Sequence, residues 1–307
     1  MTENPVLVSM LRVSQALRDA LKPHFEIFQS DDQNVPWRSV THILTIGEIG
    51  VPIDVLDRAT NLQLIVCNSV GYDKLDLQDL TTRGIRASNA ANTTSHAVAT
   101  LALGLILASY RDIVRNHLYV QSGEWASRAS LPLSRDIQTA KIGLVGMGNI
   151  GQKLAEFLSP INPDISYYSR SPKPVSFRYI ESLSALADAC DLLICTVPGG
   201  PETQNMIGSE VFNALGSGGT FVNISRASVM RQNELIDALQ SGNLGWACLD
   251  VFEDEPNVPE GLRGAQNVIL SPHTGSATEL TRNAMNNHSI ETLIKHAKTA
   301  YVISPIC

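Results

Sequence analysis

Three groups of polar residues stand where this chain could do chemistry. Asn223-Ile224-Ser225-Arg226, the stretch from Asp250 to Glu255-Pro256, and Ser271-Pro272-His273-Thr274-Gly275 each follow a short apolar run. His273 is the acid/base candidate, because only histidine changes charge near neutrality without a large perturbation. Glu255 is suited to orient the ring and stabilise its protonated form. Arg226 carries a rigid, permanently charged fork that matches a carboxylate. Together they could anchor a carboxylate and hand a proton to a developing alkoxide. Residue type alone leaves plainer alternatives open. A histidine near a strand end is often a capping or surface group, and Glu255 before Pro256 could be a solvated loop acid. His96 is a rival, but it has no acidic neighbour in sequence and reads as a structural or site-lining residue.

What must position these groups is a parallel sheet, whose strands all end on one edge. The apolar run Ile142–Val145 leads into Gly146, Gly148 and Gly151, and a helical pattern follows to Leu158. Strand, tight turn and helix in that order form a dinucleotide site. The first glycine permits the turn, the second lets backbone approach a pyrophosphate, and the third lets the helix lie on the sheet. Free N–H groups at the helix start then meet the phosphates. An ordinary glycine-rich turn is the plain alternative. A second apolar run, Ile165–Tyr168, ends in Ser169-Arg170-Ser171, where an NAD site usually carries an acid. No carboxylate in this segment repels a 2′-phosphate. Arg170 could pair with one, and Ser169 and Ser171 could donate hydrogen bonds to it. NADP(H) is therefore the preferred cofactor and NAD(H) the alternative, unless Arg170 stacks on adenine or faces solvent. With a nicotinamide as hydride source, the three polar groups suit reduction of a keto acid. Asp250 reads as an acceptor for the cofactor carboxamide or as a support for its strand end.

The chain has 307 residues and a net charge of −7, enough length for two domains and no sign of a nucleic-acid partner. Five scattered cysteines form neither a metal signature nor a disulfide framework, so no metal is expected and a cytoplasmic, reducing setting is. Met1-Thr2-Glu3-Asn4-Pro5 does not lead into a signal-like core, and the apolar segment 97–109 is too short to span a bilayer, so no membrane partner is expected. Strands are expected at 6–10, 25–28, 42–46, 62–67 and 85–87, with helices at 14–21, 52–58 and 76–82. Residues 95–118 read as continuously helical, and 123–134 as an irregular loop. Further strands are expected at 142–145, 165–168, 192–196, 220–223, 247–249 and 268–270. Helices are expected at 150–158, 182–187, 209–215 and 232–239, with a long one at 279–298. The fold class is α/β in two domains, with the substrate in the cleft between them.

Several ordered segments now carry a resemblance: NSVGYDKLDL, AVATLALGLILA, GLVGMGNIGQKLA, VPGGPETQNMI, VNISRASVM, and ACLDVFEDEP through SPHTGSAT. From Asn68 onward the chain resembles the D-isomer-specific 2-hydroxyacid dehydrogenases, most closely the glyoxylate/hydroxypyruvate reductase branch. The resemblance implies a doubly wound Rossmann-type NAD(P)-binding domain over 96–280. It also implies a smaller flavodoxin-like substrate-binding domain over 1–95, completed by 281–307. Arg226 matches the family's substrate-binding arginine, His273 its catalytic histidine, and Glu255 the glutamate that supports it. The Val70-Gly71 backbone matches the loop that donates N–H groups to the substrate carboxylate. Ser95 sits where the family usually has a cofactor-contacting threonine. Cofactor contacts are further implied at Gly146, Met147, Gly148, Asn149, Ile150 and Gly151, and at Ser169, Arg170 and Ser171. The same holds for Val197, Pro198 and Thr203, for Ile224, Ser225 and Arg226, and for Asp250, His273 and Gly275. A homodimer is implied, built on the segment after Ala97, with the loop near Leu131 approaching the partner's site. The implied activity is NADPH-preferring reduction of glyoxylate, hydroxypyruvate or a similar small 2-keto acid to a D-2-hydroxy acid. The alternatives are an NAD-linked enzyme for a bulkier substrate and a non-catalytic cofactor sensor. Gly199-Gly200, Asn223-Ile224-Ser225, Thr100 and His96 depart from the family pattern.

Overall fold

The computed structural model describes residues 4–127 and 130–307. Met1-Thr2-Glu3, the head of the stretch read for a leader, lies outside the described residues, as do Arg128 and Ala129 of the 123–134 loop. Two compact units result: the residues up to Thr94 with Thr278–Cys307, and Ser95–Ala277.

In the first unit strand and helix alternate: β1 (Val6–Ser9), α1 (Gln15–Leu21), β2 (Glu26–Gln29), β3 (Val40–Thr45), α2 (Ile53–Arg58), β4 (Leu64–Cys67), α3 (Leu77–Thr82) and β5 (Arg86–Asn89). The strands pair in parallel in the order β2-β1-β3-β4-β5, a doubly wound, flavodoxin-like arrangement. β1 and β4 are buried throughout because helices cover both faces of the sheet. Ser14 and Asp76 cap α1 and α3 by accepting backbone N–H groups of the first turn.

The second unit opens with α4 (Ser95–Tyr110) and α5 (Ile113–Gln121). The continuous helix expected over 95–118 is broken there, and the two helices meet at 63°. Asp112 is the cause. It takes a left-handed conformation (φ 49°), which few L-residues but aspartate and asparagine tolerate. Its carboxylate accepts from Arg115 (2.7 Å) and from the Ser134 hydroxyl (3.4 Å). No single helix is long and apolar enough to cross a membrane among the described residues. The Rossmann-type sheet follows: β6 (Ile142–Val145), α6 (Asn149–Leu158), β7 (Ile165–Tyr168), β8 (Arg178–Tyr179), α7 (Leu183–Asp188), β9 (Leu192–Cys195), α8 (Ser209–Leu215), β10 (Thr220–Asn223), α9 (Gln232–Ser241), β11 (Trp246–Leu249), α10 (Glu260–Arg263) and β12 (Val268–Leu270). β8 and α10 were not expected, because two and four residues are too few to show a period.

All pairings are parallel in the order β12-β11-β10-β9-β6-β7-β8. Strand order reverses between β6 and β9, the point where such sheets bind ligands at their carboxyl edge. α4 and α6 cover one face, with Leu105, Ile106, Leu154 and Leu158 in the core. α7, α8 and α9 cover the other, around Phe212 and Phe221. Burial pushes the thiols of Cys195 and Cys248 up to about 12, so neither is a nucleophile near neutrality.

The last helix, α11 (Glu279–Thr299), belongs to the first unit and packs on α1 and β4. It closes a buried polar relay. Arg86 donates to His296 Nε2 (2.5 Å), which sets the tautomer. His296 Nδ1 then donates to His42 Nε2 (2.8 Å), and His42 Nδ1 to Thr41 Oγ1 (2.8 Å). Thr41 in turn donates to the Val6 carbonyl (3.2 Å). An extra proton on either ring would break the chain. Burial, then His296, lowers the His42 pKa to about 3, and burial, then Arg86, lowers that of His296. Their folded-state pKa values lie below those of the unfolded chain, so the stability they confer is full above about pH 6.5. For His42 it is lost as pH falls from there toward 3, at up to about 1.4 kcal/mol per pH unit, and His296 adds to the loss in the same direction. Thermal unfolding followed from pH 8 to pH 4 should show this decline. His42→Gln should be less stable at pH 8 but show a shallower decline; an unchanged slope would contradict the relay.

Candidate active site

The glycine turn joins β6 to α6. Gly146 holds φ 103°, and an added Cβ would lie 2.9 Å from Thr196 Oγ1. Its N–H donates to the Tyr168 carbonyl (2.8 Å), and its own carbonyl accepts from Thr196 Oγ1 (2.8 Å). At Gly151 a Cβ would stand 2.4 Å from the Gly146 carbonyl oxygen, so only glycine lets α6 lie this close to the turn. Gly148 differs, since a Cβ there meets nothing within 4 Å. It caps α6 with no side-chain cap hydrogen bond, and the space where its Cβ would stand is open. That cradle fits a pyrophosphate. Met147 is buried and its carbonyl accepts from Gln152 Nε2 (3.1 Å). Asn149 and Ile150 open the helix, with Ile150 packed on the core.

At the end of β7 the Ser169 hydroxyl donates to the Ser171 carbonyl (2.7 Å), within the turn that presents Arg170. Ser171 itself is exposed. Arg170 is not clear of carboxylates: it pairs with Glu202, which arrives from the loop after β9. Sequence distance hid this partner. The same loop carries Val197, Pro198 and Thr203. The Thr203 hydroxyl donates to the Pro198 (2.7 Å) and Gly200 (3.2 Å) carbonyls, bracing the loop from within. Ser225 Oγ donates to the Val197 carbonyl, tying the loops after β9 and β10 together. Ile224 is buried in the core beside it.

The polar triad comes from three neighbouring strands, β10, β11 and β12, which end on one edge. Asn223 is fully buried at the end of β10. It accepts from the Ser225 N–H (3.0 Å) and donates to the Arg226 carbonyl (3.0 Å), fixing the turn that carries Arg226. Its role was not foreseen, although an asparagine ending a strand two residues before a serine is a turn signal. Buried Asp250 accepts the N–H groups of Thr274 and Gly275, each at 2.8 Å, in the turn after β12. These bonds clamp the turn in which His273 takes φ 52°, a left-handed conformation uncommon among residues other than glycine. His273 Nδ1 meets Glu255 Oε2 at 2.7 Å, and Glu255 Oε1 accepts the Phe252 N–H at 2.8 Å. Both side chains remain partly open, at 28% and 30%. The arrangement can present one imidazole nitrogen in a fixed direction. His96 instead sets its ring edge against Phe157, 5.1 Å between centroids, beside Ser95 at the start of α4.

Val70 and Gly71 follow β4 in the first unit. Asn89 Nδ2 donates to the Val70 carbonyl (2.6 Å) and Ser69 Oγ to that of Gly71 (2.7 Å). A trans peptide then turns the Gly71 N–H away from Asn89.

Against proteins of known family, the description "D-isomer specific 2-hydroxyacid dehydrogenase, NAD binding domain" matches residues 103–275. The chain belongs to this family. A 2-ketogluconate reductase from Gluconobacter oxydans is 36% identical over 87% of this chain and 86% of its own. A hydroxyphenylpyruvate reductase from Plectranthus scutellarioides is 35% identical over 98% of both. Among solved structures, an NADPH-dependent glyoxylate/hydroxypyruvate reductase from Sinorhizobium meliloti, in complex with NADP and malonate, superposes with a TM-score of 0.93. It is 31% identical, over 99% of this chain and 97% of its own.

The glycine turn yields a contrast between two substitutions. Gly151→Ala should cost about 1–3 kcal/mol in urea unfolding, because backbone must shift. Gly148→Ala should leave unfolding within about 0.5 kcal/mol of the parent yet weaken dinucleotide binding about tenfold or more by filling the phosphate space. Parent-like binding by Gly148→Ala would show that the phosphates lie elsewhere.

Proposed function

We propose that this chain reduces small 2-keto acids such as glyoxylate or hydroxypyruvate to D-2-hydroxy acids, with NADPH as the preferred reductant. The observation that carries the reading is the His273–Glu255 contact of 2.7 Å, on the sheet edge shared with the glycine turn. Gly146 to Gly151 and the first turn of α6 would hold the pyrophosphate, and Arg170 the 2′-phosphate. When bound, the nicotinamide supplies a hydride to the carbonyl carbon. Arg226 binds the substrate carboxylate and polarises the keto oxygen. With Nδ1 committed to Glu255, Nε2 of His273 delivers the proton to the alkoxide. In the reverse direction the same nitrogen takes it back.

Support for NADPH comes from the absence of an acid at Ser169 and from Arg170 beside it, together with the NADPH dependence named for the Sinorhizobium relative. The Gluconobacter and Plectranthus relatives are named for larger keto acids, which favours as a second reading an NAD-linked enzyme for a bulkier substrate. A cofactor sensor without turnover would have no use for the ordered Arg226, Glu255 and His273. We also propose a homodimer formed through α5. None of its residues is buried, and Ile113, Val114, Leu118 and Val120 are each about half exposed.

His273→Gln should lower turnover about 10²- to 10⁴-fold while NADPH still binds. Turnover should be followed with both reduced nucleotides against glyoxylate, hydroxypyruvate and larger keto acids. Near-parental rates in this variant would overturn the acid/base assignment.

A further inference from the structure

We infer that Glu202 is a specificity-determining residue for the nucleotide, competing with the 2′-phosphate for Arg170. The inference rests on the reading of Arg170 as the 2′-phosphate partner.

β7 and β9 flank β6 in the sheet. Arg170 follows β7 and Glu202 lies in the loop after β9, so their ion pair spans the carboxyl end of β6, where the glycine turn begins. Both backbones are held in place. Tyr179 Oη donates to the Ser169 carbonyl (3.2 Å), and Ser169 Oγ to that of Ser171 (2.7 Å). On the other side the Thr203 N–H donates to the Gly200 carbonyl (3.1 Å), and its hydroxyl to that of Pro198 (2.7 Å). The two side chains are 80% and 71% exposed, so they can change partners without disturbing the core.

A pair this exposed contributes little to stability. Its consequence lies in what else the guanidinium can hold. An arginine fork holds an acid best through two parallel N–H bonds, and Glu202 already takes Nη1, one prong of that fork. A 2′-phosphate carries close to two negative charges, so it takes the fork from Glu202 and then lies beside the displaced carboxylate. A nucleotide with a free 2′-hydroxyl makes no such demand, and the pair can persist while it binds. Glu202 therefore penalises the phosphorylated nucleotide alone and narrows a preference that Arg170 creates. A relative could move along this scale by changing Glu202 without touching the glycine turn.

Dissociation constants for NADPH and NADH, measured by fluorescence titration at one fixed ionic strength, test this in four proteins: the parent, Glu202→Gln, Arg170→Ala and the double variant. Exposed charges are screened by salt, hence the fixed ionic strength. Glu202→Gln should raise the preference for NADPH over NADH about two- to fivefold, and should give no such gain in the Arg170→Ala background. An unchanged preference in Glu202→Gln, or an equal gain without Arg170, overturns the inference. If Arg170→Ala weakens NADPH binding but Glu202→Gln changes nothing, the inference alone falls. If Arg170→Ala leaves NADPH binding unaltered, the reading of Arg170 falls and the inference with it. Both side chains are exposed, so urea midpoints close to the parent's will show that all four proteins are folded.

Discussion

Asp250 accepts two backbone N–H groups, from Thr274 and Gly275, and the candidate chemistry depends on those bonds. They hold the turn that places His273 in a left-handed conformation, which the histidine backbone does not prefer on its own. Five residues after Asp250, Glu255 takes the ring through Nδ1. One loop, the one leaving β11, thus fixes both the backbone and the imidazole of the same residue. Glu255 is fixed in turn by the Phe252 N–H. The ring therefore has few rotational states to lose when it acts, which is the condition for efficient proton transfer.

The parallel sheet makes this economical. β10, β11 and β12 are adjacent, so Arg226, Glu255 and His273 need only short loops to reach one edge. β6, carrying the glycine turn, ends on the same edge two strands from β10. Ser225 and Val197 tie the loops between them. Nothing about the triad requires long excursions of chain, and β6, β9 and β10, which lead to this edge, are buried along their whole length. A fold of this kind can carry different substrate preferences on the loops around such an edge.

Much of this is legible in the sequence, for definite reasons. Strands buried along their whole length, such as β4 and β9, show as unbroken apolar runs, and those runs place them. Gly146, Gly148 and Gly151 are legible because a turn against a helix leaves no room for a Cβ at two of them and needs open space at the third. Other features are written in tertiary contacts. Glu202 reaches Arg170 across thirty-odd residues of chain, and nothing local to either announces it. The break at Asp112 lies inside a run whose periodicity continues through it, since the cause is a carboxylate bonded to Arg115 and Ser134. Ser169 reads as a donor for a ligand, and its hydroxyl donates within its own turn. Polar side chains at strand ends serve the loop or the ligand, and composition does not say which.

The most direct test is a crystal structure of the protein with NADP and an unreactive keto-acid analogue such as oxamate. The account predicts Nε2 of His273 within about 3 Å of the analogue's carbonyl oxygen, with Nδ1 still on Glu255 and Arg226 on the same molecule. An analogue bound beside the nicotinamide with the imidazole turned away, and another group on its carbonyl oxygen, would contradict it.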